Sequence, residues 1–409
     1  MQSTTAKDWT RNERTEGSPS RRNLVGACVA HFLHDGYTDQ LYAFLPIWQA
    51  EFGLSYAGLA IMRSLYSGTM GGLQVPADRL TAKVSPRVAL ALATFVAAAG
   101  FLVMALPLGL PGLCVGLVLA GVGSSVQHPR GSLLVTETYG LASRGPLGIY
   151  NFAGDLGKAT FPAIAALLLP LIAWRPVVGF MAAIGSAVAF ALLAILPKQT
   201  FGASEEKSRA GGKDGSGFPL LVTIGALDTA TRMGYLLFLP FLLHAKGGTE
   251  TTIGFGLALL FSGGALGKAC CGWLGQKLGV IWSVIATEAM TALLMITTLK
   301  LSLGTTLVVL PLLGIVLNGT SSVLYGTVPE LAKKGQVGRA FAIFYTGVIG
   351  AGALAPIVYG AIADHSDQAR GIIAAALTAT AIIPMVVALR PLLRSHADNK
   401  PSALGRSQP

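Results

Sequence analysis

The chain is expected to fold as an all-α membrane protein, with twelve transmembrane helices in two six-helix halves. Three observations carry that expectation. Of its 409 residues, 52% are hydrophobic and only 12% are charged, whereas soluble domains carry about 25% charged residues. Apolar runs of about 20 residues, enough for a helix to cross a bilayer, recur along the whole length. Features of the first half also return in the second at a constant offset of about 194 residues.

The expected spans are about 24–48, 57–78, 87–107, 111–135, 146–170, 175–196, 218–243, 252–275, 280–300, 305–329, 338–363 and 371–391. Residues 1–23 are polar and charged, with no apolar core, so they read as an N-terminal tail and not as a cleavable leader. Residues 24–196 form the first bundle. The stretch 197–217, "PKQTFGASEEKSRAGGKDGSG", is rich in Gly, Ser and charge and reads as a linker. Residues 218–393 form the second bundle, and 394–409 a C-terminal tail. The four cysteines, Cys28, Cys114, Cys270 and Cys271, lie in apolar segments and read as small buried hydrophobes.

Orientation follows from the basic residues. The tails and the loops on their side hold 21 of the 30 Lys and Arg. Only Arg175, Lys246, Lys300 and Arg370 lie in the opposite loops. Lys and Arg favour the cytoplasmic side, so both termini and the linker are expected there, in a multi-pass protein of the cytoplasmic (inner) membrane. The formal net charge of +11 therefore does not suggest nucleic acid.

The repeat pairs "FLP" at 44–46 with "FLP" at 238–240, Asp35 with Asp228, and Glu137 with Glu330. Arg144 pairs with Arg339, Tyr150 with Tyr345 and Pro162 with Pro356. Parallel six-helix repeats are an arrangement of secondary transporters, with the substrate site at the repeat interface.

Ionisable residues inside a bilayer are expensive and turn toward cavities or partners. Span 1 carries His31, His34, Asp35 and Asp39, and span 2 carries Arg63. Span 4 carries His128 and Arg130, span 5 Asp155 and Lys158, span 7 Asp228 and Arg232, and span 8 Lys268. Spans 3, 6 and 12 hold no charge beyond their ends, and span 9 has one exception, Glu288. His31, Asp35 and Asp39 recur every four residues and share one helix face. A carboxyl that ionises when wet and protonates when occluded carries protons, which makes Asp35 the expected carrier and Asp228 its counterpart. The rival expectation is that Asp35 is a fixed partner of a basic residue. Asp228 and Arg232, spaced i, i+4, can pair, and Asp155 with Lys158 poses the same choice.

Two stretches resemble the major facilitator superfamily. "QVPADRLT" (74–81), with Asp78 and Arg79, is similar to the motif that family carries between helices 2 and 3. "GWLGQKLG" (272–279) is its weaker second copy, with Gln276 in the Asp place. The resemblance implies that helices 1, 4, 7 and 10 line a central cavity, with 2, 5, 8 and 11 beside it and 3, 6, 9 and 12 outside. It also implies that Asp78 and Arg79 gate the cycle, near helix 11. "HFLHDGYTDQLYAFLPIWQAEFGLSYAGLAIMRSLY", "GVGSSVQHPRGSLLV" and "GIYNFAGDLGKATFP" resemble fosmidomycin-resistance-type efflux members of that family. At the centre of the last stretch, Gly154-Asp155 departs from the group's common Gly-Gly-Asn.

Proton coupling is accordingly expected at Asp35, Asp228, Asp155 and His128. Substrate contacts are expected from His31, His34, Asp39, Arg63, Gln127, Arg130, Asn151, Lys158, Arg232, Tyr235, Asn318 and Tyr325. The function expected is proton-coupled transport by alternating access of a small polar compound, an anion by resemblance, most simply as efflux. Uptake of a small organic anion is the alternative. A further alternative is transport of a divalent metal by His31, His34, Asp35, Asp39 and His128, since imidazole and carboxylate suit such ions. A membrane receptor or assembly factor is disfavoured, because a scaffold does not need buried titratable groups. An enzyme is not expected, and no nucleotide-binding glycine loop encodes an ATP motor. The expected partners are a small molecule, protons and lipid, with no cofactor, no resident metal and a monomeric state.

Overall fold

The computed structural model describes residues 19–198, 217–333 and 336–397. The expected tails and linker lie mostly outside the described residues. The first half contains α1 (Pro19–Phe52), α2 (Tyr56–Thr81), α3 (Pro86–Ala105), α4 (Gly109–Tyr139), α5 (Arg144–Leu168) and α6 (Trp174–Ile195). The second opens with α7 (Phe218–Ala245) and a helical run over Glu250–Lys300. Gly279, at φ 77°, redirects that run, dividing it into α8 (250–278) and α9 (280–300). The remaining helices are α10 (Leu303–Leu331), α11 (Val337–Asp364) and α12 (Gln368–Ala397). The expected loop between spans 8 and 9 is therefore a single left-handed glycine, a conformation that residues with a Cβ resist.

Local chemistry explains several helix starts. The side chains of Ser55, Ser85 and Ser302 accept from backbone N–H groups three residues on, and Thr249 and Thr252 form a reciprocal capping box. Pro46, Pro129, Pro162, Pro240 and Pro356 all lie inside helices. Neighbouring helices make such breaks tolerable in a membrane bundle.

Among the described residues, seven helices are long and apolar enough to cross a membrane by length and composition alone: α3, α4, α6, α9, α10, α11 and α12. The remaining five, α1, α2, α5, α7 and α8, each carry buried or half-buried ions.

Close backbone approach builds each half. Gly100 and Gly123 of α3 and α4 sit against each other's helix backbone, and Gly263 and Gly267 of α8 sit against the carbonyls of Pro311 and Ile315. Small residues let helices pack where lipid supplies no hydrophobic drive. Cys271 is buried, but Cys270 is exposed, contrary to expectation.

The halves meet through α1 with α7, α2 with α11, and α5 with α8, and among the described residues α4 and α10 are not a main contact between them. Cross-half contacts concentrate at the end opposite the start of α1. There the Asp364 carboxylate accepts from the backbone N–H groups of Tyr56 (2.7 Å) and Ala57 (2.9 Å). The Tyr56 ring meets Phe238 and Phe241 edge-on. Thr251 Oγ1 donates to the Ala166 carbonyl at 3.1 Å. Within the first half at this end, Glu51 accepts from Trp174 Nε1 (2.6 Å) and Arg175 Nη2 (2.5 Å). Burial raises the Glu51 carboxyl, but these two donors outweigh it and hold the group below its ordinary value.

Candidate functional site

Four helices bring their ions together midway along the bundle. Asp35 of α1 is the hub and is only 6% exposed. Its Oδ2 lies 3.2 Å from Lys158 Nζ of α5 and 3.3 Å from His31 Nε2, and its Oδ1 lies 3.5 Å from His128 Nε2 of α4. Lys158 also reaches Asp155 Oδ1 at 3.6 Å, and Asp155 holds Lys268 Nζ of α8 at 2.5 Å. The chain Asp35–Lys158–Asp155–Lys268 thus crosses from one half to the other. Sequence spacing suggested the Asp155–Lys158 pair. It did not show that Lys268, absent from the expected site, closes the path.

A second group sits beside the first. Arg63 Nη2 of α2 approaches Asp39 Oδ1 at 3.7 Å, and its guanidinium lies 4.5 Å from the centre of the Tyr42 ring. Among the described residues, the Nε and Nη1 of Arg63 have no hydrogen-bond partner. Across the interface, Arg232 of α7 donates to Asn318 Oδ1 (3.3 Å) and Thr229 Oγ1 (3.5 Å), while its Nε is unpartnered. Arg63, Lys158 and Arg232 all act electrostatically on Asp39. The Tyr42 hydroxyl donates to Met233 Sδ at 3.3 Å and ties the two halves here. Unpaired buried donors on guanidinium groups favour an anionic guest such as a carboxylate or phosphate, which accepts charge-assisted hydrogen bonds.

Other expected residues are placed differently. His34 does not reach the interface: its ring nitrogens contact Ser124 Oγ (2.9 Å) and Thr94 Oγ1 (3.1 Å), between α4 and α3. The helical step of 100° between His34 and Asp35 turns it away. Arg130 is engaged at the end of the bundle. It holds the end of α2, with Nε 2.9 Å from Thr81 Oγ1 and Nη2 2.7 Å from the Asp78 carbonyl. Asp78 Oδ1 lies 3.3 Å from Arg130 Nε, so the ion partner of Asp78 is on α4 and not on α11. Arg79 is exposed. Tyr235 is fully buried, with its hydroxyl 3.2 Å from Thr298 Oγ1 inside the second half.

Among the described residues, Asp228 forms no ion pair with Arg232. Its side chain lies beside those of Glu288 of α9 and Arg232 on its own helix. Glu288 was the one ion out of pattern among the expected outer spans. Gln127 Nε2 donates to the Tyr150 hydroxyl at 3.2 Å. Asn151 is exposed, and Tyr325 packs against Phe344 and Tyr345.

Donor atoms of His31, Asp35 and His128 lie within 4.8 Å of one another, the spread of a small metal site. The Lys158 ammonium on the same Asp35 oxygen opposes a divalent cation there. His34 and Asp39 lie elsewhere, so the expected five-residue metal set does not assemble.

A family model described as Major Facilitator Superfamily matches residues 27–223 and 220–408. The fosmidomycin resistance protein of Escherichia coli (strain K12) is 24% identical over 369 residues, covering 84% of this chain and 87% of that protein. A protein of the same organism named "Probable L-galactonate transporter" is 25% identical over 126 residues, which is 31% of this chain and 28% of that one. A solved bacterial homologue of the human lysosomal transporter Spinster, inward-facing and unoccupied, superposes with a TM-score of 0.73 at 15% identity. The match covers 95% of this chain and all of that one (100%). A POT family transporter in complex with 5-aminolevulinic acid gives 0.75 at 14% identity, over 92% and 96%. At such identities these two structures show the fold alone.

Proposed function

Since the chain belongs to the major facilitator superfamily, and is thus a multi-pass membrane transporter of small molecules and not an enzyme, we propose that it is a proton-coupled exporter of a small polar anion. The observation that carries the substrate class is the pair Arg63 and Arg232, one from each half, each with guanidinium donors left unpaired among the described residues. An anion held by both is sensed by both halves, which is what alternating access requires. Lys158 and Lys268 add positive charge, and Asn318 offers a neutral contact. The likeness to a fosmidomycin resistance protein supports export. Proton coupling rests on the buried Asp35–Lys158–Asp155 chain, whose charges an entering proton rearranges. The buried carboxyls of Asp228 and Glu288, side by side, are a second place where a proton can be taken up. In this reading the end where α1 begins is cytoplasmic, the membrane is the inner one, and the protein works as a monomer.

Ligand-induced stabilisation of the purified protein tests the reading. Fosmidomycin, other phosphonates, carboxylates, divalent metals and cationic drugs are compared. A ligand at 100 times its Kd stabilises by about 2.7 kcal/mol, which shifts Tm measurably. Anions should stabilise the wild type and not Arg63→Gln or Arg232→Gln. Stabilisation by cations alone overturns the assignment. The name of the second relative supports uptake of a small organic anion as a second reading. Linkage separates the two: anion binding that weakens on acidification marks exchange for protons, and binding that tightens marks co-transport.

A further inference from the structure

We propose that the second half holds a Na⁺ ion between α7 and α9, coordinated by the carboxylates of Asp228 and Glu288 and the hydroxyls of Thr231 and Thr291. The two carboxyls lie side by side, and both residues are buried. Two contacts set the register of these helices. One places Asp228 of α7 beside Glu288 of α9. Further along both helices, the Tyr235 hydroxyl of α7 meets Thr298 Oγ1 of α9 at 3.2 Å. Thr231 and Thr291 each follow their acid by three residues. They therefore share the faces that carry these contacts, and they lie between the two.

Thr231 and Thr291 are each only 1% exposed. Among the described residues, neither Oγ1 has a hydrogen-bond partner. Other threonines of α9 spend theirs on their own helix: Thr287 donates to the Ser283 carbonyl at 2.9 Å, and Thr298 to the Met295 carbonyl at 2.6 Å. A buried hydroxyl without a partner is costly. Two of them in line with two buried carboxyls mark a place for a guest that takes oxygen lone pairs.

The chemistry of the donors selects that guest. All four are oxygens, which suit hard cations and not the softer transition metals. Ionised Asp228 and Glu288 carry two negative charges, and Arg232, which acts on both, returns one positive charge. One monovalent cation closes the balance, whereas Ca²⁺ would leave a buried excess. Mg²⁺ keeps several of its waters, and hydroxyls sealed this fully leave no room for them. The helices touch on either side of the site, which favours the smaller Na⁺ over K⁺. A proton on the carboxyl pair meets the charge but leaves Thr231 and Thr291 unpartnered; Na⁺ uses all four groups. Both helices belong to the second half, so the site stands independently of the anion pair and of the Asp35 cluster.

The test uses the purified full chain in lipid nanodiscs, with thermal unfolding and ²²Na⁺ binding measured at constant ionic strength and without any anionic ligand added beyond chloride. Na⁺ in place of choline should raise Tm saturably, K⁺ should do so weakly, and a single ²²Na⁺ should bind per chain. Thr231→Val and Thr291→Val keep the side-chain shape and remove the oxygen. Each should weaken Na⁺ binding about tenfold, the scale of one lost charge-assisted contact. Asp228→Asn combined with Glu288→Gln should abolish both responses, and Asp35→Asn should leave them unchanged. The valine variants carry the decision if the carboxyl variant does not fold. A wild-type Tm that responds equally to Na⁺, K⁺ and choline, with no bound ²²Na⁺, overturns the proposal. Bound ²²Na⁺ that is unaffected by both valine substitutions places the ion elsewhere and overturns it too. Stabilisation by Ca²⁺ alone refutes the charge balance on which the choice of Na⁺ rests.

Discussion

Asp364→Ala should open the end of the bundle that is closed here. Asp364 belongs to α11, and both its oxygens are spent on the first turn of α2: Tyr56 N at 2.7 Å and Ala57 N at 2.9 Å. Ser55 already serves Gly58 N at 3.1 Å, so Asp364 satisfies the two donors that the local cap leaves over. A carboxylate at a helix start gains from hydrogen bonds and from the helix dipole. Losing a capping side chain costs about 0.5–2 kcal/mol, and the dipole term adds about 0.3–1 kcal/mol. Because Asp364 is exposed, water and salt reduce both, so about 1–2 kcal/mol in all is expected. These bonds cross between the halves and exist only while this end is shut. Their whole worth therefore biases the conformational equilibrium, and the closed-to-open ratio at this end should fall roughly 5–30-fold. Spin labels at Ala50 and Ser366, exposed positions on the two halves, report the ratio by electron–electron distance measurement. Gly360→Ala checks the reasoning independently. Its Cβ would meet the Ala57 backbone N at 2.7 Å and should part the same joint. Distance distributions that do not change in Asp364→Ala would refute the latch.

Three further outcomes are expected. Asp78→Asn loses the ion pair to Arg130 but not the carbonyl contact, so turnover should fall several-fold while ligand affinity stays within twofold; a large affinity loss at full turnover in flux and binding assays contradicts this. Asp35→Asn should fold, because Lys158 keeps Asp155 as a partner at 3.6 Å, and should abolish gradient-driven flux; stable protein with undiminished flux would remove Asp35 from the coupling. Glu51→Gln should lower Tm at neutral pH and flatten the acid limb of the stability curve: the folded-state carboxyl sits low, so its stabilisation is present above about pH 4.5 and is lost as pH falls through the folded value.

The run of hydropathy and the constant offset of about 194 residues made twelve spans and two halves legible from the sequence. Span ends fell within a few residues of the helices, because bilayer thickness sets helix length almost regardless of neighbours. The His31–Asp35–Asp39 stripe was legible too, since it depends only on the 3.6-residue turn. Pairing was not. The i, i+4 spacing of Asp228 and Arg232 permits an ion pair, yet Arg232 turns to Asn318 and Asp228 to Glu288. Arg130, inside an apolar span, looked like a cavity residue and instead holds the end of α2. Lys268 meets Asp155 from 113 positions away, and Asp364 meets Tyr56 from 308. Such contacts depend on how each helix is rotated about its axis against its neighbours. Glycine and small-residue packing between helices fixes that rotation, and no local periodicity encodes it.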